Sequence, residues 1–213
     1  MNFLPSPIEV YATAHSEPEP ELLQRLSREA QAKLMHPQML SGHWQGRLLA
    51  MFSQMLRPRR ILEIGTYAGY SALCLAEGLA DDGLLITIEV NEELESFARS
   101  FFEQSPRSAQ IDYRIGNAID ILPTLNETFD MVFIDANKVN YSLYYDLVFD
   151  KVRSGGVIIA DNVLWYGKVT ETKKTIDKDT RALLNYNQKI HQDSRVSHLL
   201  LPVRDGLMIA IKN

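Results

Sequence analysis

From residue 61 onward, short apolar runs alternate with longer amphipathic ones, and this alternation restricts the fold more than any other feature of the chain. Ile61–Ile64, Leu84–Ile88, Ile111–Ile115, Met131–Ile134 and Val157–Ala160 have the length and composition of buried strands. Between them, Ser71–Leu79, Glu92–Phe102, a short stretch near Ala118–Leu122 and Tyr141–Val152 carry helical spacing, and Asp179–His191 follows with the same pattern. Strands that alternate with helices build a parallel sheet with helices on both faces. The tail breaks the rhythm. Val196–Leu201 and Leu207–Ile211 are joined by Arg204-Asp205-Gly206 with no helix between them, so they pair antiparallel at one edge. The expectation is an α/β fold: a seven-stranded, mostly parallel sheet with one antiparallel edge strand.

The N-terminal quarter reads differently. Pro5, Pro7, Pro18 and Pro20 disfavour a long helix in the first 20 residues, which leaves an irregular arm with a short helix. Leu22, Leu23, Leu26, Ala30 and Leu34 form a helical stripe that Pro37 ends, and a second helix covers Gln45–Leu56. Residues 1–56 are thus an arm and extra helices, and 57–213 the core of a single domain, which 213 residues favour. A net charge of -5 and a pI near 5.6 exclude a strongly basic nucleic-acid footprint over the whole chain. The lone cysteine, Cys74, makes neither an internal disulfide nor a thiolate zinc cluster. No apolar run approaches the roughly 20 residues that span a bilayer, and Met1–Glu9 lacks the features of a signal peptide. A cytoplasmic location is expected.

Two constellations carry chemistry. In Ile61-Leu62-Glu63-Ile64-Gly65-Thr66-Tyr67-Ala68-Gly69-Tyr70-Ser71, glycines follow the first central strand. They allow a sharp turn and the close approach of a ligand to the backbone, and the next helix points its N-terminal N–H groups that way. The spacing is G-x-x-x-G, not the dinucleotide G-x-G-x-x-G, and a tight turn alone would also account for it. Glu89 ends the second strand, where an acid can accept both hydroxyls of a ribose. Glu63 lies inside an apolar strand, and a carboxylate buried there needs a partner. Gly116-Asn117-Ala118 follows the third strand, either beside an adenine or as a plain strand-to-helix turn.

The second constellation is Asp135, at the end of the fourth strand, with Asp161 and Asn162 at the end of the fifth. Both ends lie at the rim where parallel sheets bind ligands. Two carboxylates and a carboxamide form a hard-oxygen set suited to Mg²⁺, Mn²⁺ or Ca²⁺; helix capping and a turn would use the same residues. Lys138 follows Asp135 by three residues, where a nearby divalent cation would make it a usable base.

Together these segments resemble the class I S-adenosylmethionine-dependent O-methyltransferases, and within them the cation-dependent caffeoyl-CoA and catechol O-methyltransferase group. The resemblance runs from about Met39 to the C-terminus. It rests on L-E-I-G-T-Y-A-G-Y-S at 62–71, I-E-V-N at 88–91, F-I-D-A-N-K-V-N-Y at 133–141, A-D-N-V-L-W-Y-G-K-V at 160–169 and P-V-R-D-G-L at 202–207. It implies a Rossmann-like core that binds S-adenosylmethionine and a divalent cation, Mg²⁺ first. Glu63, Gly65, Thr66 and Ser71 would hold the methionine part, with Tyr67 nearby. Glu89 would hold the ribose hydroxyls, Ala118 would lie at the adenine, and Ser41, Val90 and Asp135 would also lie against the cofactor. Asp135, Asp161 and Asn162 would ligate the metal, Lys138 would serve as base, and Trp165 and Tyr166 would contact the acceptor. Asn117 stands where many relatives carry an acid, Asn137 where plant members carry an aspartate, and Tyr166 where they carry an asparagine, so plant substrate preference does not carry over directly.

The expected reaction is methyl transfer to one oxygen of a vicinal-dihydroxy, catechol-like small molecule. An alternative keeps the fold and site and methylates a hydroxyuridine in transfer RNA; Arg57, Arg59, Arg60, Lys168, Lys173, Lys174 and Lys178 are the cations it would need. An NAD-dependent oxidoreductase lacks its glycine signature here, and a catalytically dead cofactor-binding module would be expected to have lost Lys138 or a metal ligand. The resemblance also implies a homodimer, for which the apolar N-terminal helix is available. Residues 167–178 read equally as a lid or as a solvated connection.

Overall fold

In the computed structural model, which describes residues 6–172 and 175–213, the alternation folds as expected. The strands are β1 (Arg60–Ile64), β2 (Leu84–Glu89), β3 (Ile111–Ile115), β4 (Phe129–Ile134), β5 (Val152–Asp161), β6 (Val196–Leu201) and β7 (Leu207–Lys212). They form one sheet in the order β3-β2-β1-β4-β5-β7-β6. The pairs β1–β2, β1–β4, β2–β3 and β4–β5 are parallel. The terminal pair sits at one edge, antiparallel, as the missing helix requires. Within it β7 is the reversed strand and pairs with β5, so the outermost strand, β6, runs with the rest.

Register decides where the chemistry lies. Ile64 is level with Ile88 and with Ile134, and Ile134 is level with Ala160. The next residues, Gly65, Glu89, Asp135 and Asp161, therefore leave the sheet at the same rim. Strand order reverses between β1 and β4, so that rim opens at the switch point of the sheet.

The helices are α1 (Ser6–Ala14), α2 (Glu21–Lys33), α3 (Gly42–Leu56), α4 (Tyr70–Ala76), α5 (Glu95–Phe102), α6 (Ala118–Ile121), α7 (Tyr141–Phe149) and α8 (Lys178–Gln192). Alternating strand residues feed two cores. Leu62, Ile86, Val132 and Ile158 pack with Tyr141, Tyr145, Leu183 and Tyr186 of α7 and α8. Ile61, Leu85, Met131 and Ile159 pack with Leu26, Leu49, Leu73 and Phe101 of α2 to α5. Of the boundaries that differ from expectation, three bear on the site and its support. Helix α3 starts at Gly42, three residues early. Helix α7 stops at Phe149, because Val152 already pairs with Phe129. Strand β5 accordingly begins at Val152 and not at Val157, and includes Gly155 at φ +72°.

The N-terminal segments are tied to the body near the rim. Trp44 Nε1 of α3 donates to Thr13 Oγ1 of α1 at 3.0 Å. Tyr70 OH, at the start of α4, donates to Glu19 Oε1 at 2.5 Å. Among the described residues no helix is long and apolar enough to cross a membrane.

Candidate active site

The loop after β1 is built around Gly65. Its φ is +102°, and a Cβ there would lie 1.9 Å from the carbonyl oxygen of Asp135. Only glycine lets the two strand ends meet this closely. Gly65 and Thr66 N–H donate to Ile88 O at 2.9 and 3.2 Å, which ties the loop to β2. Tyr67, itself at φ +47°, donates its N–H to Glu89 Oε2 at 2.7 Å, and Asn91 N–H donates to Oε1 at 2.9 Å. The Glu89 carboxylate is thus fixed at the end of β2, with lone pairs left for two further donors.

Glu63 is fully buried on the α3–α4 side of the sheet. Thr87 Oγ1 donates to its Oε2 at 2.5 Å, and Thr66 Oγ1 lies 2.5 Å from that same hydroxyl. Burial pushes Glu63 up to about 8, opposed by the nearby hydroxyls of Ser71 and Thr87. Among the described residues its Oε1 is buried without a hydrogen-bond partner. A buried acceptor left in this state is costly, and a donor on a bound ligand would satisfy it. Met39, Leu40 and Ser41, just before α3, face Gly65–Ser71 and Asp135 across a narrow crevice of about 10 Å³. A larger concavity of about 640 Å³ at the end of α8, by Lys189 and Arg195, lies at the opposite end of the sheet and holds none of these groups.

At the ends of β4 and β5 the oxygen donors converge. Lys138 Nζ, on the turn after β4, donates to Asp135 Oδ1 at 2.7 Å, to Asn162 Oδ1 at 2.7 Å and to Tyr141 OH at 2.6 Å. Tyr141 OH in turn donates to the main-chain oxygen of Asp161 at 3.0 Å. All three ammonium donors are therefore used. Asp161 is buried; Gln45 Nε2 of α3 donates to its Oδ2 at 2.5 Å and Asn162 N–H to its Oδ1 at 2.6 Å. Burial, reinforced by the charge of Asp135, holds the Asp161 carboxyl well above the usual carboxylate range. Two acids this close favour a cation between them, and Lys138 Nζ sits where Asp135 and Asn162 point. Among the described residues no three His, Cys, Asp or Glu side chains converge as metal ligands; the third donor of this set is the amide of Asn162. Hard oxygens around a bound cationic group fit a divalent ion of the Mg²⁺ type.

After Asn162, at φ +60°, the chain stays strained: Trp165 and Tyr166 have φ of +49° and +56°. The turn between β6 and β7 supports this segment. Val163 and Leu164 N–H donate to Gly206 O and Asp205 O at 3.2 and 2.9 Å, and Tyr166 N–H donates to Asp205 Oδ1 at 2.6 Å. Trp165 packs on the core and leaves its indole N–H unpartnered, while Tyr166 is exposed. Such backbone strain gathers at functional sites.

Of the residues singled out in the sequence, Ser41, Gly65, Thr66, Tyr67, Ser71 and Asp135 border the crevice, and Glu89 and Glu63 are joined to its lining through Tyr67 N–H and through Thr87 and Thr66. Ala118 starts α6 just after β3, capped by Asn117, whose Oδ1 accepts from Ile119 N–H at 3.1 Å. Val90 is 72% exposed and contacts the site only through its place beside Glu89. Arg57 and Arg59 precede β1 and Arg60 opens it, so all three lie at the end of the sheet away from the rim. Lys173 and Lys174 fall outside the described residues. Thr87, Tyr141 and Gln45 emerged only from the structure. Tyr141 closes a quoted motif and Thr87 interrupts a strand, so both carried a faint signal. Gln45 is 116 residues from Asp161 in sequence, and nothing local marks it.

Residues 13–213 match the sequence profile of a family described as O-methyltransferase. A caffeoyl-CoA O-methyltransferase of Petroselinum crispum is 33% identical over 202 residues, covering 90% of this chain and 83% of that one. Catechol O-methyltransferase domain-containing protein 1 of Mus musculus is 35% identical over 173 residues, covering 79% of this chain and 66% of the mouse protein. Among solved structures, an O-methyltransferase of Streptomyces achromogenes involved in tomaymycin synthesis, in complex with SAM, superposes with a TM-score of 0.89 at 30% identity, over 97% of this chain and 96% of that one.

Proposed function

This chain belongs to the O-methyltransferase family, and from that premise we propose that it moves the methyl group of S-adenosylmethionine to one hydroxyl of a catechol-like small molecule with the help of a divalent cation. The observation that carries the reading is the convergence of Asp135, Asn162, Lys138 and Tyr141 at the rim beside the Gly65 loop. Glu63 Oε1, buried without a donor, suits the ammonium of the methionine part. Glu89 suits the ribose hydroxyls, and Ala118 the adenine. Val90 would meet the cofactor only by its place beside Glu89.

Asp135, Asp161 and Asn162 would hold the cation, whose charge lowers the proton affinity of acceptor oxygens near it. The remaining steps belong to the chain. Lys138 Nζ, as the neutral amine when the acceptor is bound, takes the proton from the acceptor hydroxyl and becomes the ammonium. Tyr141, anchored on Asp161 O, keeps Nζ directed at the rim. Gln45 fixes the Asp161 carboxylate from α3. Trp165 and Tyr166 flank the aromatic ring of the acceptor. Aligning oxygen, methyl carbon and sulfur in this way contributes about 7–11 kcal/mol to the rate.

A transfer RNA acceptor is less well supported. Among the described residues of its cation set, Arg57, Arg59 and Arg60 lie at the far end of the sheet and Lys168 is paired with Asp177 at 3.1 Å. A homodimer is part of the proposal: Met51 and Met55 stand one turn apart on α3, 57% and 78% exposed. A cytoplasmic location suits the single, buried cysteine.

Cofactor binding separates this reading from a dinucleotide enzyme. In a thermal-shift titration S-adenosylmethionine raises Tm and NAD does not. Glu89→Ala, which removes the ribose acceptor, weakens the S-adenosylmethionine response by about 10- to 100-fold in Kd. A rise in Tm with NAD alone would overturn the assignment.

A further inference from the structure

Three cations border the acceptor side of the rim, and they are not equivalent. Lys138 and Lys168 lie over the Trp165 ring at 5.9 and 5.8 Å from its centroid. Each has a carboxylate: Asp135 at 2.7 Å for Lys138 and Asp177 at 3.1 Å for Lys168. The third is Arg204, in the β6–β7 turn. Its neighbour Asp205 accepts from the Tyr166 N–H through Oδ1 and feels the charges of both Lys138 and Arg204, but among the described residues it makes no ion pair with the guanidinium. Among the described residues the Arg204 guanidinium meets only the carbonyl oxygen of Leu40, through Nη1 and Nη2 at 3.4 Å each. These are long contacts to a neutral group, and they leave most of its five donors unused.

Its position is built in. Arg204 holds φ +50° in the tight turn between β6 and β7, an uncommon conformation for a non-glycine residue that the pairing of the two strands fixes. Across the mouth, Gly42 has φ +73°, and a Cβ there would come within 3.3 Å of Arg204 Nη1. The guanidinium therefore spans the gap between the acceptor loop, which its own turn supports, and the Leu40–Gly42 segment that borders the cofactor crevice.

We infer that Arg204 is an anion-binding residue at the acceptor mouth, and that the preferred acceptor is a catechol bearing a carboxylate on the side of the ring away from its two hydroxyls. The inference rests on the small-molecule reading above and deepens it. With the hydroxyls at Lys138 and the ring against Trp165 and Tyr166, a ring substituent leads out toward the turn that carries Arg204. A planar carboxylate meets a guanidinium through two parallel N–H···O bonds, which a neutral ester cannot match.

The test compares caffeate with its methyl ester, a pair that differs in this charge and one methyl group. For the wild-type protein, kcat/KM for the acid exceeds that for the ester about tenfold, through KM. In Arg204→Gln the ratio falls to about one, and in Arg204→Glu it inverts in favour of the ester. A ratio is independent of the folded fraction, so a partly misfolded variant does not mimic the effect. Equal kcat/KM for acid and ester in the wild type, or a tenfold ratio retained in Arg204→Gln, overturns the inference and leaves catechol methylation standing. Failure to methylate either compound or any neutral catechol overturns both.

Discussion

Replacing Lys138 by methionine is expected to lower kcat by about 10²- to 10⁴-fold, the range of a positioned acid–base group, while the affinity for S-adenosylmethionine stays at its wild-type value. The expectation follows from the division of labour at the rim. Lys138 Nζ is directed by Asp135, Asn162 and Tyr141, none of which can take its place as proton acceptor in the same position. Methionine keeps the length and fills the buried space, so the Tyr141 ring, 4.8 Å from Nζ, keeps its packing. The cofactor crevice is bordered by other residues. Lys138→Arg does not restore the rate, because a guanidinium stays protonated. Rapid-quench measurement of a single turnover isolates the chemical step, and an unchanged rate would remove Lys138 from the mechanism.

Gly65→Ala is expected to abolish detectable S-adenosylmethionine binding and to destabilise the fold by about 4 kcal/mol or more. The added methyl would stand 1.9 Å from Asp135 O and 2.6 Å from its carbonyl carbon. Both are backbone atoms at the end of a central strand, so no rotamer change relieves the clash. The φ of +102° adds strain of its own. Movement of the Gly65 loop also disturbs Glu89, which the next turn holds through Tyr67 N–H. Gly155→Ala provides the control. It too has a positive φ, +72°, but its Cβ would meet only the flexible Arg153 Nη1, at 3.1 Å, and its cost is limited to about 1 kcal/mol. Chemical denaturation and calorimetric titration of both variants measure the contrast; equal losses would mean that the contact with Asp135 does not matter.

These two sites also mark how far sequence reasoning reaches. Strand and helix identity from β1 to β7 followed from periodicity, because buried parallel strands are short apolar runs whatever surrounds them. The shared level of Gly65, Glu89, Asp135 and Asp161 followed too, since each directly succeeds a strand residue. Helix ends were harder. Where α7 stops depends on Val152 pairing with Phe129, a contact across 23 residues that α7 itself does not encode. The same limit hid Gln45 and Arg204. Each acts across a long separation, Gln45 on Asp161 and Arg204 on Leu40, and only the folded chain brings the partners together. The proline-rich arm gave no sign that Glu19 receives Tyr70, which closes the N-terminal segments over the start of α4.

The central claim is that the rim formed by β1, β4 and β5 methylates a catechol with a bound divalent cation. Transfer of labelled methyl from S-adenosylmethionine tests it most directly, with caffeate and hypomethylated bulk transfer RNA offered separately, each with Mg²⁺ and with EDTA. The account predicts label in caffeate that disappears with EDTA and returns with Mg²⁺. Label that enters only the transfer RNA would contradict it.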